Sequence, residues 1–402
     1  MDISTEDWHT ALTSLIDVGH TLPASGLATA LADTLRPLGL HTTVHLADAE
    51  QRALRMLPQP DQPHQEPIPI DGSLAGRAFT LVTPTIAARD PERLWMPIVD
   101  GTERLGVLHI TLPPHLHFDD DAVRRNINAI TGLLGHLIVA KTQYGDTISR
   151  ARRSQPASVG TETLWRLLPP LTFTTEHIVI AAILEPCYTI GGDAYDYAVD
   201  DHIARIAIFD ALGHGLRAAL TATVALGSSR TARVERADLT TIARAVDTAV
   251  ADEFTDSRFA TAILADLDIT TGTLHYINAG HPPPVVIRAG KAVAQLDAGR
   301  RMPLGLADPT IDIAELSLEP EDRLLFYTDG FTEALDQNDE QFGLQRLVDF
   351  AERHSASGLP PPEMLRRLGH DLLDYQNGPL HDDATLMMLS WNSPTTADMT
   401  LP

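Results

Sequence analysis

Four aspartates stand where apolar runs meet small residues. Asp193 follows Gly191 and Gly192 in "GGDAYDY". Asp210 closes the run "IARIAIF" and is followed by Ala211 and then by "GHG" at 213–215. Asp329 precedes Gly330 at the end of "DRLLFYT", and Asp382 with Asp383 opens "DDATLMMLSW". A single loop aspartate is most often a turn former or a cap. Four at the ends of strand-like runs across one half of a chain form a set of hard oxygen donors, the kind that Mg²⁺ and Mn²⁺ prefer. The lone cysteine, Cys187, leaves no thiolate cluster to compete, and no histidine pair has zinc spacing. Cys187 itself reads as a small buried residue.

Other polar residues nearby carry less chemistry. His214, inside "GHG", suits a turn scaffold or a partner behind a ligand. His281, ahead of three prolines, reads as structural. Glu333 could orient a ligand water or lie on the surface, and Glu185, Tyr195 and Asp196 could line the site or brace Asp193.

These side chains need rigid elements to hold them. Residues 177–186 and 202–211 have the apolar content of strands, the second leading into Asp210. A buried helix starts near Gly215, and a second follows Asp238 as its N-cap. Residues 259–281 read as a hairpin turning at "ITTG". Two more strands end at Asp329 and begin after Asp383. Two strands would thus deliver Asp193 and Asp210 to one sheet edge, with glycines giving the backbone room beside a cation.

Residues 1–120 read as a separate small α/β domain. Helices are expected over residues 6–15 and after Ser25 as N-cap. A hairpin follows in "HTTVHLADAE" and "QRALRMLP", then the Pro-rich loop "PQPDQPHQEPIPI". "DGSLAGRAFTLVTP" predicts a capped helix running into a strand, and "RLWMPIVDGTERLGVLHITL" two strands joined at "DGTERLG". Residues 121–160 form a helical connector and linker. Val123, Ile127, Ile130, Leu134, Leu137, Lys141, Tyr144 and Ile148 alternate four and three apart, a seam on which two copies could pair as a homodimer. Lys141 interrupts the seam, while Gly132, Gly135 and Gly145 weaken the helix. Leu133 and Ile138 widen the stripe, so packing against the protein's own N-terminal domain competes. The remaining boundaries fall at 161–392 for the aspartate-bearing domain and 393–402 for a tail.

Bulk properties narrow the class. The 402 residues are 44% apolar, enough for ordinary cores in two or three domains. A net charge of −24 repels phosphate backbones and argues against nucleic acid as partner. No apolar run suits a membrane span, the acidic start lacks a signal-peptide n-region, and one cysteine rules out an internal disulfide. The expected location is the cytoplasm.

Two resemblances join these readings. "GSLAGRAF" and "WMPIVDGTERLGVLHI" are similar to GAF sensor domains, although the cyclic-nucleotide signature of that family is not visible. From about residue 164 to 390 the chain resembles the SpoIIE-like branch of the PPM-type metal-dependent serine/threonine protein phosphatases. The resemblance is carried by "LWRLLPP", "GGDAYDY", "FDALGHG", "FATAILADLD", "NAGHPPP", "PLGL", "YTDGFTEA", "FG" and "DDATL" in that order. It implies an α+β chain: a GAF-like sensor domain, a connector, and an α-β-β-α sandwich with two antiparallel sheets enclosing two Mn²⁺ or Mg²⁺ ions at one edge. It implies Asp210 as the bridging ligand, with Asp193 and the carbonyl of Ala211 completing one metal site. Asp329 and Asp382 would hold the other, supported by Asp383. A hydroxide shared by two such ions attacks a phosphoserine or phosphothreonine in line. The partner implied is a phosphorylated protein, an anti-sigma-factor antagonist, with an unidentified signal acting at the GAF-like domain. Phe209 and Leu212 depart from the small residues of many relatives, which affects packing rather than ligands. The competing class is a catalytically silent scaffold or ligand-gated sensor; such a chain is expected to have lost a ligand, and all four aspartates are present.

Overall fold

The computed structural model describes residues 3–59, 65–87, 90–185, 188, 191–254, 256–377, 380 and 382–392. The chain forms two compact units, Met1–Gln155 and Pro156–Leu401. Among the described residues no helix is long and apolar enough to cross a membrane.

The N-terminal unit runs α1 (Thr5–Thr21), α2 (Leu27–Leu35), β1 (His41–Ala47), β2 (Ala53–Met56), β3 (Ile68–Pro69), α3 (Leu74–Leu81), β4 (Thr85–Ala87), β5 (Asp90–Asp100), β6 (Glu103–Thr111), α4 (Asp121–Thr142) and α5 (Thr147–Ala151). Its sheet has the order β3-β2-β1-β6-β5-β4, antiparallel throughout. Period-two alternation gives each face its own core. Val44, Leu46, Leu108, Ile110 and Met96 pack with α1, α2 and α4, while Ala47, Leu54 and Val107 pack with Phe79 of α3. Ser73 caps α3 by accepting from the Gly76 N–H at 2.9 Å. Ser25, expected as the cap of α2, instead lies inside a 3₁₀ turn, and the preceding position of α2 is Gly26 with no side-chain cap.

The helical stripe is also resolved differently from a dimer seam. Val123, Ile127, Ile130, Leu134 and Ile138 are buried in the core of their own unit. A stripe widened by Ile138 matches a sheet face better than the narrow seam of a helix pair. The helix ends at Thr142, Ile148 sits on α5, and Tyr144 is 83% exposed. Gly135 is a contact point rather than a weakness. A Cβ there would stand 2.0 Å from the Val99 carbonyl oxygen of β5.

The C-terminal unit runs α6 (Val159–Trp165), β7 (Thr172–Thr174), β8 (Ile178–Glu185), β9 (Asp193–Asp200), β10 (Ile203–Ala211), α7 (Leu216–Val234), α8 (Leu239–Glu253), β11 (Ala260–Asp268) and β12 (Thr273–Ala279). It continues through β13 (Val285–Arg288), β14 (Lys291–Gln295), β15 (Arg300–Arg301), β16 (Ala314–Ser317), β17 (Arg323–Tyr327), α9 (Asp329–Thr332), α10 (Gly343–Ala356), α11 (Pro361–Gln376) and β18 (Ala384–Trp391). One sheet has the order β15-β12-β11-β10-β9, with β16 also paired to β12; the other has the order β14-β13-β17-β18-β8-β7. All pairings are antiparallel except β12 with β15.

The layering follows from the residue pattern. In β10, Ile206 and Ile208 point to the core between the sheets, where they meet Ile180, Phe326, Met387 and Leu389. Ala207 and Phe209 point the other way, under α7 and α8. The buried face of α7 is largely alanine, at Ala218, Ala219, Ala222 and Ala225, which leaves room for the Phe209 ring. Burying that ring contributes about 2–3 kcal/mol. On the second sheet Ile183, Leu325 and Met388 pack against Leu347, Leu365 and Leu368 of α10 and α11. Every residue of β18 is buried, as a central strand covered on both faces requires. The result is the α-β-β-α sandwich expected from the sequence. Asp238 caps α8 as predicted, accepting from the Thr241 N–H at 2.8 Å.

Candidate metal centre

The two sheets bring their carboxylates together at one edge. Antiparallel register makes Asp193 and Asp210 direct partners on β9 and β10. The Ala211 N–H donates to the Gly192 carbonyl at 3.1 Å, extending this pairing by a residue. On the other sheet β17 ends at Tyr327, so Thr328 and Asp329 follow at its tip and Asp329 opens α9. Asp382 and Asp383 precede β18, which runs antiparallel to β17. Gly330 permits the approach of these tips, since a Cβ there would lie 1.9 Å from the Asp383 carbonyl oxygen.

Side-chain hydrogen bonds cross from sheet to sheet. The Thr328 and Thr385 hydroxyls each donate to Asp193 Oδ2 at 2.7 Å. Asp383 Oδ2 accepts from the backbone N–H groups of Gly191 at 2.5 Å, Gly192 at 2.6 Å and Asp193 at 3.4 Å. Asp383 therefore anchors the glycine turn that leads into β9.

Negative charge accumulates here among the described residues. Burial, then the charges of Asp210 and Asp383, hold the Asp193 carboxyl well above the usual carboxylate range, against the pull of the two threonines. Burial followed by Asp329, Asp382 and Asp383 pushes Asp210 up to about 8. Burial likewise raises Asp383 to about 6, although its backbone donors act in the opposite sense. Asp329 is raised by burial, then by Glu333 and Asp382. No basic side chain figures among the main influences on these four groups. Asp382 is exposed at the rim.

Among the described residues no three His, Cys, Asp or Glu side chains already converge on one point as metal ligands. Asp193 and Asp383 each have one oxygen turned to protein donors, while Asp210, Asp329 and Asp382 repel one another. The donor chemistry nevertheless fits a hard divalent cation. It consists of oxygen only, it is anionic, and a cation supplies the missing countercharge.

The neighbouring residues sort clearly. His214 is exposed in its turn. His281 is buried and structural; its Nδ1 lies 2.8 Å from the Thr261 hydroxyl, and burial pushes its pKa down to about 3. Glu333 is exposed and adds negative charge beside Asp329. Glu185 is buried at the end of β8. Tyr195 and Asp196 do not line the centre. Tyr195 donates to the Pro169 carbonyl at 3.1 Å, and Asp196 pairs with Arg230 and Arg233 of α7 at 2.6 and 2.7 Å. Cys187 lies outside the described residues. Thr328 and Thr385 are the site residues that sequence reasoning passed over. Their only signal was adjacency to the aspartates in "YTDG" and "DDATL".

Residues 200–392 match the family "Stage II sporulation protein E (SpoIIE)". The chain is 28% identical over 218 residues to the phosphoserine phosphatase RsbU of Bacillus subtilis (strain 168), covering 53% of this chain and 63% of RsbU. It is 30% identical over 159 residues to the phosphoserine phosphatase RsbP of the same organism, covering 35% of this chain and 36% of RsbP. The chain thus spans less than two thirds of the length of either relative. The SiaA-PP2C domain of Pseudomonas aeruginosa superposes with a TM-score of 0.50 at 23% identity, covering 63% of this chain and 99% of that domain, which speaks for the fold.

Proposed function

We propose that this chain, whose C-terminal unit carries a SpoIIE-family domain of the PPM phosphatases, is a metal-dependent protein serine/threonine phosphatase. The observation that carries the reading is the meeting of Asp193 and Asp210, in direct register, with Asp329, Asp382 and Asp383 from the opposite sheet. Two ions, Mn²⁺ or Mg²⁺, would be held here, one by Asp193, Asp210 and the Ala211 carbonyl and the other by Asp210, Asp329 and Asp382. Asp383 supports the centre through the Gly191–Gly192 backbone it anchors. When bound, the ions supply a hydroxide near neutral pH and offset charge on the phosphoryl oxygens.

The protein's own contribution is positional. β9 and β10 fix the spacing of Asp193 and Asp210, and Asp329 and Asp382 approach from strand tips that a single glycine keeps close. The substrate class is a phosphoserine or phosphothreonine on a protein, in keeping with the names of RsbU and RsbP. The partner we propose is a phosphorylated anti-sigma-factor antagonist. The N-terminal unit, GAF-like in sequence, acts as the regulatory module, and the chain acts in the cytoplasm.

Hydrolysis of a generic aryl phosphate tests the enzyme reading, with Mn²⁺, with Mg²⁺ and with chelator. Turnover is expected with metal alone and is expected to fall to background in Asp210→Asn. Turnover in chelator, or wild-type turnover in the variant, overturns the assignment.

A further inference from the structure

We infer that Thr328 and Thr385 are positioning residues for the metal centre: together they commit one oxygen of Asp193 to the opposite sheet and leave the other as a single, oriented donor. The inference rests on the proposed role of Asp193 as a ligand and adds to it.

The hydrogen-bond directions are fixed by elementary accounting. Both hydroxyls donate to Asp193 Oδ2. The Thr385 N–H donates to the Thr328 hydroxyl oxygen at 2.9 Å, which orients that hydroxyl with its proton toward Asp193. The Thr328 N–H donates in return to the Thr385 carbonyl at 3.1 Å, so the two threonines hold each other. Both are fully buried, and Asp193 is 2% exposed. Water therefore cannot replace a lost donor without rearrangement.

The clamp also crosses the sandwich. Asp193 belongs to the sheet containing β9, whereas Thr328 and Thr385 belong to the β17–β18 edge of the other sheet. Thr328 is the immediate neighbour of Asp329, and Thr385 stands two residues after Asp383. A shift of Asp193 relative to the second pair of carboxylates thus requires breaking two charge-assisted bonds. With Oδ2 accepting two hydroxyl hydrogen bonds, Oδ1 is the oxygen that Asp193 would offer to a cation.

The experiment is Mn²⁺ affinity of the full chain, measured by calorimetry or by electron paramagnetic resonance, for wild type, Thr328→Val, Thr385→Val and the matching Ser variants. Loss of an outer partner of this kind costs about 10–100-fold in metal affinity. Each Val variant is expected to lose at least tenfold while remaining folded in chelator, by circular dichroism, at the temperature of the binding assay. Each Ser variant, which keeps the hydroxyl, is expected to stay within about threefold. Where a Val chain fails to fold, Thr→Ala against Thr→Ser at the same position isolates the hydroxyl, since both lack the methyl group. Equal Mn²⁺ affinity in folded Val or Ala and Ser chains overturns the positioning role while leaving the metal centre intact. A wild-type chain that binds no Mn²⁺ overturns the metal reading together with it.

Discussion

Removing divalent cation should weaken the C-terminal unit as pH rises, and Asp210→Asn should remove much of that weakness. The Asp210 carboxyl is pushed from 3.8 up to about 8. A carboxyl raised on folding leaves stability whole below pH ~4 and erodes it as pH climbs toward 8, because the unfolded chain releases a proton that the folded chain retains. At pH 7 roughly three pH units separate the solution from the unfolded value, which sets a ceiling of about 4 kcal/mol. Relaxation of neighbouring carboxylates and solvent near the partly exposed Asp210 reduce this to about 1–3 kcal/mol. For a unit of this size that is about 3–10 °C in melting temperature. The assay is thermal unfolding followed by circular dichroism in chelator at pH 4.5, 7 and 8. Asp210→Asn is expected to melt higher than wild type at pH 7 and 8 and nearly level with it at pH 4.5. Adding Mn²⁺ at a hundred times its dissociation constant should stabilise wild type by about 2.7 kcal/mol and the variant far less. A metal-free wild type whose melting is flat from pH 4.5 to 8, or a variant less stable than wild type at pH 8, refutes the electrostatic argument.

Two other perturbations separate scaffold from centre. Asp196→Asn leaves Arg230 and Arg233 without the buried carboxylate they share, at 3.0, 2.6 and 2.7 Å in the intact protein. We expect a loss of about 3 kcal/mol in urea denaturation with Mn²⁺ binding retained; loss of binding at unchanged stability would return Asp196 to the centre. Gly330→Ala drives a methyl into the Asp383 carbonyl, with no backbone room to yield at 1.9 Å. Turnover of an aryl phosphate should drop at least tenfold with a cost of about 1–3 kcal/mol, and wild-type turnover would show that the two strand tips are not so tightly set.

Local pattern made much of this legible. β10 announces itself by an apolar run that stops at a charge, and the β11–β12 hairpin by a turn sequence between two such runs. Asp193, Asp210, Asp329 and Asp382 stood out because a charge beside glycine or alanine at a strand end has no packing reason to be there. What stayed hidden depends on partners far along the chain. Asp196 looks like a site residue until Arg230 and Arg233, one helix away, reach it. Thr328 and Thr385 look like ordinary strand residues, because nothing local says that their hydroxyls meet Asp193 across a sandwich. The stripe on α4 has the spacing of a helix pair, and only the sheet lying beneath it shows what it packs on. Ser25 shows that a good capping residue does not cap when the chain ahead of the helix is already turning.

The position of β18 has a consequence for how the molecule is made. It lies between β17 and β8, pairing Ile178 with Trp391 and Ala384 with Glu185. Until residues 384–391 have left the ribosome, β8 and β17 are open edges of two separate fragments, β7–β8 and β13–β14–β17, and each can pair with other chains. The contacts that close the sheet are among the longest in sequence, so folding should be slow and should finish late. Because β18 brings Thr385 with it and follows directly on Asp382 and Asp383, this order keeps the carboxylates of the two sheets from meeting until synthesis reaches that strand.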